Sequence, residues 1–153
     1  VELDLIYPEH KEKAKMLHND SHKLESAFLS VDIEENNSVM LKTMAGTRLG
    51  IWIAHGEGKF YLPYGQEEYN IPVRYSHDTY PANPNGSPFA TAAICSKDGR
   101  HLAIMPHLER SIHPWNWAYY AEGRENDEVS PWIEAFVNAR LWVEKQKGSL
   151  RPG

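Results

Sequence analysis

Residues 90–105, ATAAICSKDGRHLAIM, constrain the fold of this chain more than any other stretch. Two apolar runs flank the dipeptide Asp-Gly at 98–99, which strongly favours a two-residue β-hairpin turn. Such a turn also sets the pairing register, in which Cys95 faces Leu102. The sequence therefore predicts an antiparallel strand pair whose second strand leads towards His107.

Most of the remaining chain also has strand-like character. Runs rich in β-branched and aromatic residues, bounded by glycine, proline or polar clusters, predict strands. They lie at residues 27–33, 48–56, 59–63 and 73–76. The connections are predicted as a loop or short helix at 9–26, a short helix or turn at 39–46, and a proline-rich loop at 80–88.

A long helix is predicted at the C-terminus. Ser130 can cap it, and Pro131 suits its first position. Gly148 can end it. The residues that recur with helical spacing, and so predict the packed face, are Ile133, Phe136, Val137, Arg140 and Leu141. Several strands and one long helix in 153 residues indicate a single domain of the α/β or α+β class.

Composition excludes several classes of function. The net charge of -5 argues against nucleic-acid binding and provides no basic face for an anionic membrane. No run approaches the roughly 18 apolar residues of a membrane span, and the first residues do not resemble a signal peptide. The single cysteine excludes an internal disulfide and favours a cytoplasmic protein.

That cysteine is poorly placed to react with a histidine further along the chain. In the hairpin register Cys95 faces Leu102, and His107 lies five residues beyond, which is ~17 Å along an extended strand. A nucleophile and its base need to lie within about 3 Å of each other. Cys95 is therefore predicted to be a buried strand residue rather than a nucleophile.

His107 and Glu109 form the first candidate catalytic pair. Side chains two residues apart in an extended segment point the same way. Glu109 could then fix the tautomer of the His107 imidazole and stabilise its cation. The alternative is an ordinary surface histidine and glutamate at the end of a strand.

A second cluster, His55-Gly56-Glu57-Gly58, follows another apolar strand. Its glycines could let the backbone approach a ligand closely, or the motif could be a hairpin turn. With the pair at 107 and 109, His55 and Glu57 would also make a two-histidine, two-carboxylate metal site. A small metal-dependent hydrolase or cupin-like protein is therefore an alternative function.

The aromatic segment PWNWAYY, residues 114–120, is compatible with several roles. It could be a platform for a sugar or peptide, or the contact surface of a non-catalytic interaction module. It could equally be a lid over the core or a buried domain contact.

Four motifs, taken in order, resemble a known family. AHGEGKF (54–60), YPANPNGSP (80–88), DGRHLAIMPHLERS (98–111) and PWNW (114–117) resemble the C-terminal glutaminase domain of phosphoribosylformylglycinamidine synthases, the large amidotransferases of purine synthesis. The resemblance extends from NDSHKLES (19–26) to the last helix. One departure is Leu108, where the family usually has proline.

The resemblance implies a fold, a mechanism and an incomplete site. The fold would be class I glutamine amidotransferase-like, a flavodoxin-like mixed α/β sheet of which residues 1–153 form the C-terminal portion. His107 would be the general base and Glu109 the carboxylate that orients it. The family nucleophile is a cysteine in a motif like G-V-C-N-G-C-Q, which would precede these residues and is absent from them. The chain alone is therefore expected to be inactive.

The resemblance also implies ligands and partners. L-glutamine would be the substrate, bordered by the backbone around His55, Gly56 and Glu57. The other partner would be a synthetase domain of the same polypeptide, which would use ATP and Mg. This chain itself would need no metal or other cofactor, and the NPNGSP loop would face either the glutamine pocket or the synthetase.

Overall fold

The computed structural model describes residues 3–149, and the side chains of residues 3–147. It contains seven strands and one α-helix: β1 (Lys15–Leu17), β2 (Glu25–Ile33), β3 (Arg48–His55), β4 (Lys59–Tyr61), β5 (Asn70–Tyr75), β6 (Thr91–Cys95), β7 (Leu102–Ile104) and α1 (Ile133–Ser149). Single 3-10 turns lie at Lys42–Met44, Gln66–Glu68, Pro88–Ala90, Leu108–Arg110 and Pro114–Asn116. The predicted strands therefore all occur, and the segment at 39–46 forms a short turn.

Five strands form the main sheet, in the order β3-β2-β5-β6-β7, and each neighbouring pair is antiparallel. β1 and β4 form a separate antiparallel pair. The part of the α/β fold that the described residues form is therefore an antiparallel sheet, with β3 and β7 as its edge strands.

The β6–β7 hairpin has the predicted register. Cys95 lies opposite Leu102, and the amide of Ser96 donates a hydrogen bond to the carbonyl of His101 at 2.9 Å. Gly99 has a φ of +75°, and a Cβ there would lie 2.2 Å from the carbonyl oxygen of Asn37. The turn therefore needs glycine for both its backbone conformation and its close approach to a neighbouring loop.

The segment at 9–26 differs from its prediction as a loop or short helix. It contains β1, in which Met16 pairs with Phe60 of β4, and its last two residues begin β2. Its mixed polar composition lacks the alternation that marks a half-buried strand. The three-residue β1 is specified by its partner β4 rather than by its own pattern.

Two apolar clusters lie among these elements. The larger joins residues of β2, β3, β5 and β6 to Leu41, Met44, Leu108 and the first turn of α1. The smaller joins the N-terminal segment around Tyr7 to β4, β5 and β6. The catalytic candidate segment after β7 is thus attached to the larger cluster through Leu108.

The start of α1 agrees with the prediction, but its packed face does not. The Ser130 hydroxyl accepts a hydrogen bond from the Trp132 amide at 3.3 Å, as expected of a cap. Trp132, immediately before α1, and Ala135, in its first turn, are buried, and the Trp132 indole donates to the carbonyl of Gly50 at 2.8 Å. Residues of the predicted face are instead exposed: Phe136 by 39%, Val137 by 46% and Leu141 by 50%.

The reason for this error is that α1 carries apolar residues on more than one side, so periodicity alone offers two faces. The predicted end was also one residue short, because α1 continues through Gly148 to Ser149. No helix within residues 3–149 is long and apolar enough to cross a bilayer.

Candidate active site

His107 is held between the end of β7 and the edge of β3. Its amide donates a hydrogen bond to the carbonyl of Trp52 at 2.8 Å, which makes an isolated antiparallel bridge to β3. The hydroxyl of Ser111, a fully buried residue, donates to the carbonyl of His107 at 3.3 Å. The backbone that carries the imidazole is therefore fixed on both sides.

The Glu109 carboxylate contacts the His107 ring directly. Its Oε1 lies 2.7 Å from Nδ1, within the range expected for a catalytic hydrogen bond. An ionised carboxylate only accepts, so Nδ1 carries a proton and Nε2 is left as the basic nitrogen. The His107 side chain is 26% exposed, so the ring that carries Nε2 is partly accessible to a reactant.

The local conformation of this pair differs from the extended segment that the sequence predicted. Glu109 lies in the 3-10 turn Leu108–Arg110, and His107 precedes that turn with φ -99° and ψ 94°. The turn brings the carboxylate back to the ring because Leu108 is 5% exposed and packs into the larger apolar cluster. The guanidinium of Arg110 lies 3.8 Å from the same carboxylate.

His55 points into the protein. It is 7% exposed, and its ring lies so close to Gly58 that a Cβ there would be 2.1 Å from Cδ2. Its Nε2 lies 3.2 Å from Nδ2 of Asn85. Because Oδ1 of Asn85 accepts from the amide and hydroxyl of Ser87, the Asn85 NH₂ group faces the ring, and Nε2 of His55 is the acceptor.

Burial lowers the pKa of His55 below its usual 6.5; protonation of His107 would lower it further, while Glu25 raises it. His55 is therefore neutral at pH 7, with its proton on Nδ1. A buried neutral imidazole is suited to supporting the shape of this segment rather than to exchanging protons.

Two buried asparagines, which the residue patterns did not single out, hold the His55-Gly56-Glu57-Gly58 segment. Asn19 donates to the carbonyl of His55 at 2.7 Å and accepts from the Gly58 amide at 3.0 Å. Asn85 supports the ring of His55 as described. Both lie in segments that the family resemblance had marked, NDSHKLES and NPNGSP. The NPNGSP loop therefore lies behind the motif.

Glu57 is exposed and Gly56 partly exposed, unlike the buried His55. They line a cavity of about 420 Å³ together with His18, His22, Lys23 and Leu24. The Glu57 carboxylate lies 3.7 Å from Nδ1 of His18. A Cβ on Gly56 would meet nothing within 4 Å, so no internal packing requires glycine there.

The proposed metal set is not assembled. Within residues 3–149, no group of three or more histidine, cysteine, aspartate and glutamate side chains is arranged to hold a metal ion. His55 meets Asn85 through Nε2, and His107 meets Glu109 through Nδ1. The geometry therefore gives no support to the alternative of a metal-dependent hydrolase or cupin-like protein built on His55, Glu57, His107 and Glu109.

Cys95 occupies the buried strand position predicted for it. It has no exposed surface, and burial raises the pKa of its thiol, partly offset by a hydrogen bond with Ser38. A buried, protonated thiol is a poor nucleophile.

The aromatic segment at 114–120 divides into covered and exposed residues. Trp117 packs against Phe28, with ring centroids 5.5 Å apart, and its indole donates to the carbonyl of Ser111 at 2.7 Å. Trp115 and Tyr119 remain 72% and 70% exposed. Trp117 thus acts as a lid that also braces the backbone near His107.

Comparisons with known proteins agree with the motifs. Residues 1–143 match the family of CobB/CobQ-like glutamine amidotransferase domains. The chain is 44% identical over 144 residues to a probable chloroplastic or mitochondrial phosphoribosylformylglycinamidine synthase of Arabidopsis thaliana, and 41% identical over 140 residues to the phosphoribosylformylglycinamidine synthase of Homo sapiens. These matches cover 85% and 82% of this chain, but only 10% of each relative.

Among solved structures, the chain resembles PurLQS from Thermotoga maritima, with a TM-score of 0.64 and 24% identity. The match covers 86% of this chain and 54% of that one, and it establishes the fold alone. The α/β, class I glutamine amidotransferase-like fold expected from the motifs is thereby confirmed. With the family match over almost its whole length, the chain belongs to the CobB/CobQ-like glutamine amidotransferase domains.

Proposed function

We propose that residues 1–153 are the C-terminal part of the glutaminase domain of a phosphoribosylformylglycinamidine synthase, and that they supply its base, His107, and its orienting carboxylate, Glu109. The observation that carries this proposal is the 2.7 Å contact between His107 Nδ1 and Glu109, which leaves Nε2 basic. Relatives 41–44% identical to the chain carry that enzyme's name.

In the proposed reaction, His107 Nε2 removes the thiol proton of a cysteine that lies outside this chain. The thiolate attacks the side-chain amide carbon of L-glutamine, and backbone amides from the same outside segment stabilise the oxyanion. His107 then returns the proton to the departing ammonia. Water hydrolyses the resulting thioester and releases glutamate.

Glu109 makes this proton transfer easier without taking part in bond formation. Its carboxylate holds the ring with Nε2 outward and stabilises the imidazolium that forms when Nε2 gains a proton. The buried turn at Leu108 and the bridge to Trp52 keep the pair in this geometry.

Gly56 and Glu57 are proposed to border the glutamine, with His55 behind them as support. The open face of Gly56 favours this assignment, because its lack of a side chain serves no internal contact. His55 contributes through the backbone it anchors, since its ring is directed at Asn85 and Gly58.

The ammonia is proposed to pass to a synthetase domain of the same polypeptide. There ATP, with Mg, would activate the formamide oxygen of formylglycinamide ribonucleotide, and ammonia would replace it. The intact protein would then be an ATP-dependent C–N ligase, whereas this chain would need no cofactor of its own. A cytoplasmic location remains a prediction, and one relative is named as chloroplastic or mitochondrial.

The outer face of α1 supports the assignment as a partial domain. Phe136, Val137 and Leu141 are between 39% and 50% exposed on a single helix. Helices with apolar residues on all sides are usually covered on all sides. A further segment of the glutaminase domain would cover this face.

Labelling with diazo-oxo-norleucine, a glutamine-mimicking electrophile, tests the proposal in the full-length protein. We expect one cysteine outside residues 1–153 to be alkylated, glutamine to protect it, and His107→Ala to slow the reaction strongly. His101→Ala, which changes an exposed histidine of the hairpin turn, is the matched control and should label normally. Glutamine-protected labelling of Cys95 would refute the assignment.

A further inference from the structure

Glu25 and His55 lie opposite each other in the main sheet. Glu25 is the first residue of β2, His55 is the last residue of β3, and the two are directly paired in the antiparallel register. Directly opposed residues place their side chains on the same face of a sheet, with Cβ atoms about 5 Å apart. The side chains of Glu25 and His55 are therefore within reach of each other.

Each of these side chains has one buried polar atom without a partner. Nε2 of His55 accepts from Asn85 at 3.2 Å, so Nδ1 carries the proton, and Nδ1 is buried with no acceptor among the described residues. Oε1 of Glu25 is buried with no donor in the same part of the chain. Buried polar atoms are nearly always hydrogen-bonded. Because one atom is a donor, the other is an acceptor and their residues are opposed, each can satisfy the other.

The charge of Glu25 also acts on the His55 ring. Burial lowers the pKa of His55, and the Glu25 carboxylate opposes that shift. An opposing effect of this kind requires the carboxylate to lie near the ring, because the interaction of two charges weakens with distance. The electrostatics therefore agree with the pairing of the two residues across the strands.

We propose that Glu25 is a positioning residue whose carboxylate accepts a hydrogen bond from Nδ1 of His55. Rotation of the Glu25 side chain about its own bonds brings the oxygen to the ring. The bond keeps the proton on Nδ1 and so keeps Nε2 as the acceptor for Asn85. Its effect on the reaction rests on the proposed function, in which Gly56 and Glu57 border the glutamine: a fixed His55 ring holds the backbone that leads into them.

Glutamine kinetics of the full-length protein test the positioning role. Glu25→Ala should raise the KM for glutamine about fivefold with kcat little changed, because the His55 ring loses one of its two hydrogen bonds. Glu25→Gln keeps a side-chain oxygen that can accept the same bond, so its KM should stay within about twofold of the wild-type value. The ammonia-dependent reaction should be unchanged in both variants. Glu35→Ala, which removes an exposed acid after β2, is the control.

A double-mutant cycle separates action through His55 from direct contact with the substrate. If Glu25 acts through His55, adding Glu25→Ala to His55→Gln should raise the KM no further. A further rise would show that the carboxylate contacts glutamine itself and would overturn the proposal. So would a loss in Glu25→Gln as large as that in Glu25→Ala.

A crystal structure of the full-length protein tests the bond independently of activity. We expect His55 Nδ1 to lie about 2.7–3.2 Å from a carboxylate oxygen of Glu25. A carboxylate directed away from the ring would refute the proposal. If the wild-type protein formed no product from glutamine, the proposed function would fail, and this distance alone would decide the bond.

Discussion

At the scale of single residues, the two glycines of the HGEG motif lie in different surroundings. Gly58 lies against the His55 ring, with an added Cβ only 2.1 Å from Cδ2, whereas an added Cβ on Gly56 would meet nothing within 4 Å. Internal packing therefore explains Gly58. The proposed glutamine contact would account for a glycine at position 56.

Because of this difference, we expect glycine-to-alanine substitutions at the two positions to have different effects. Gly58→Ala should lower the free energy of unfolding by about 1–3 kcal/mol, because the His55 ring must move. Gly56→Ala should change it by less than about 0.5 kcal/mol but raise the KM for glutamine. Thermal unfolding and glutaminase kinetics of the full-length variants check both. A destabilised Gly56→Ala with normal KM would contradict the substrate role.

Leu108, which replaces the usual proline of the family, is expected to be interchangeable with it in catalysis. It is the first residue of a 3-10 turn, a position that tolerates proline, and the extended backbone of His107 suits a residue before proline. Leu108→Pro should retain glutaminase activity while losing about 1–3 kcal/mol of stability, since a buried leucine side chain is lost. Activity reduced as strongly as in His107→Ala would show that the turn had been displaced.

Cys95 should resist alkylation in the native protein. Burial raises its pKa, so at any given pH less thiolate is present than for a free cysteine, and access is blocked. The full-length protein would carry the proposed nucleophile as a further cysteine, so mass spectrometry of the peptide that contains Cys95, after iodoacetamide treatment, reports this thiol separately. We expect no adduct at pH 7.5 without denaturant and one adduct with it. Rapid native modification would require Cys95 to be reconsidered.

The contact between His107 and Glu109 could be predicted from their spacing, although the backbone between them is a turn and not a strand. The supporting residues were harder to find. Asn19 and Asn85 act through hydrogen bonds to segments 36 and 30 residues away in the chain, and no local pattern reports such pairings. Hydrogen bonds between residues far apart in the chain can be assigned only once the three-dimensional fold is known.

At the scale of elements, turn chemistry was a better guide than helical periodicity. Asp98-Gly99 set the register of β6 and β7 because a short turn leaves little freedom. The face of α1 was predicted wrongly because its apolar residues surround the helix, and only packing selects Trp132 and Ala135. β1 was missed because three residues carry too little pattern.

The exposed face of α1 makes a prediction about the larger protein. Leu141→Lys should destabilise the full-length glutaminase domain by about 2–5 kcal/mol if another segment covers this face. Glu144→Gln changes an exposed neighbour that forms an ion pair with Arg140; it is the control and should have little effect. Thermal unfolding with limited proteolysis measures both. Equal tolerance of the two changes would mean that the face stays open to solvent.

At the scale of the whole molecule, the chain spans about one tenth of the relatives it matches. In the proposed function it would provide one side of a site: the imidazole of His107 with its hydrogen-bonded carboxylate, and the segment around Gly56. A cysteine close to Nε2 would complete it. In the proposed function, this chain takes part in ammonia release from glutamine, and a separate synthetase domain uses ATP. The glutaminase and synthetase reactions should therefore be separable.

The most direct measurement compares product formation from glutamine and from ammonium salt by the full-length protein and its His107→Ala variant. The account predicts loss of the glutamine-dependent reaction with the ammonia-dependent reaction largely intact, because His107 serves only to release ammonia. Glu109→Gln should lower the same activity less severely, since it alters tautomer and charge but keeps the base. Equal loss from both nitrogen sources in His107→Ala would contradict the account.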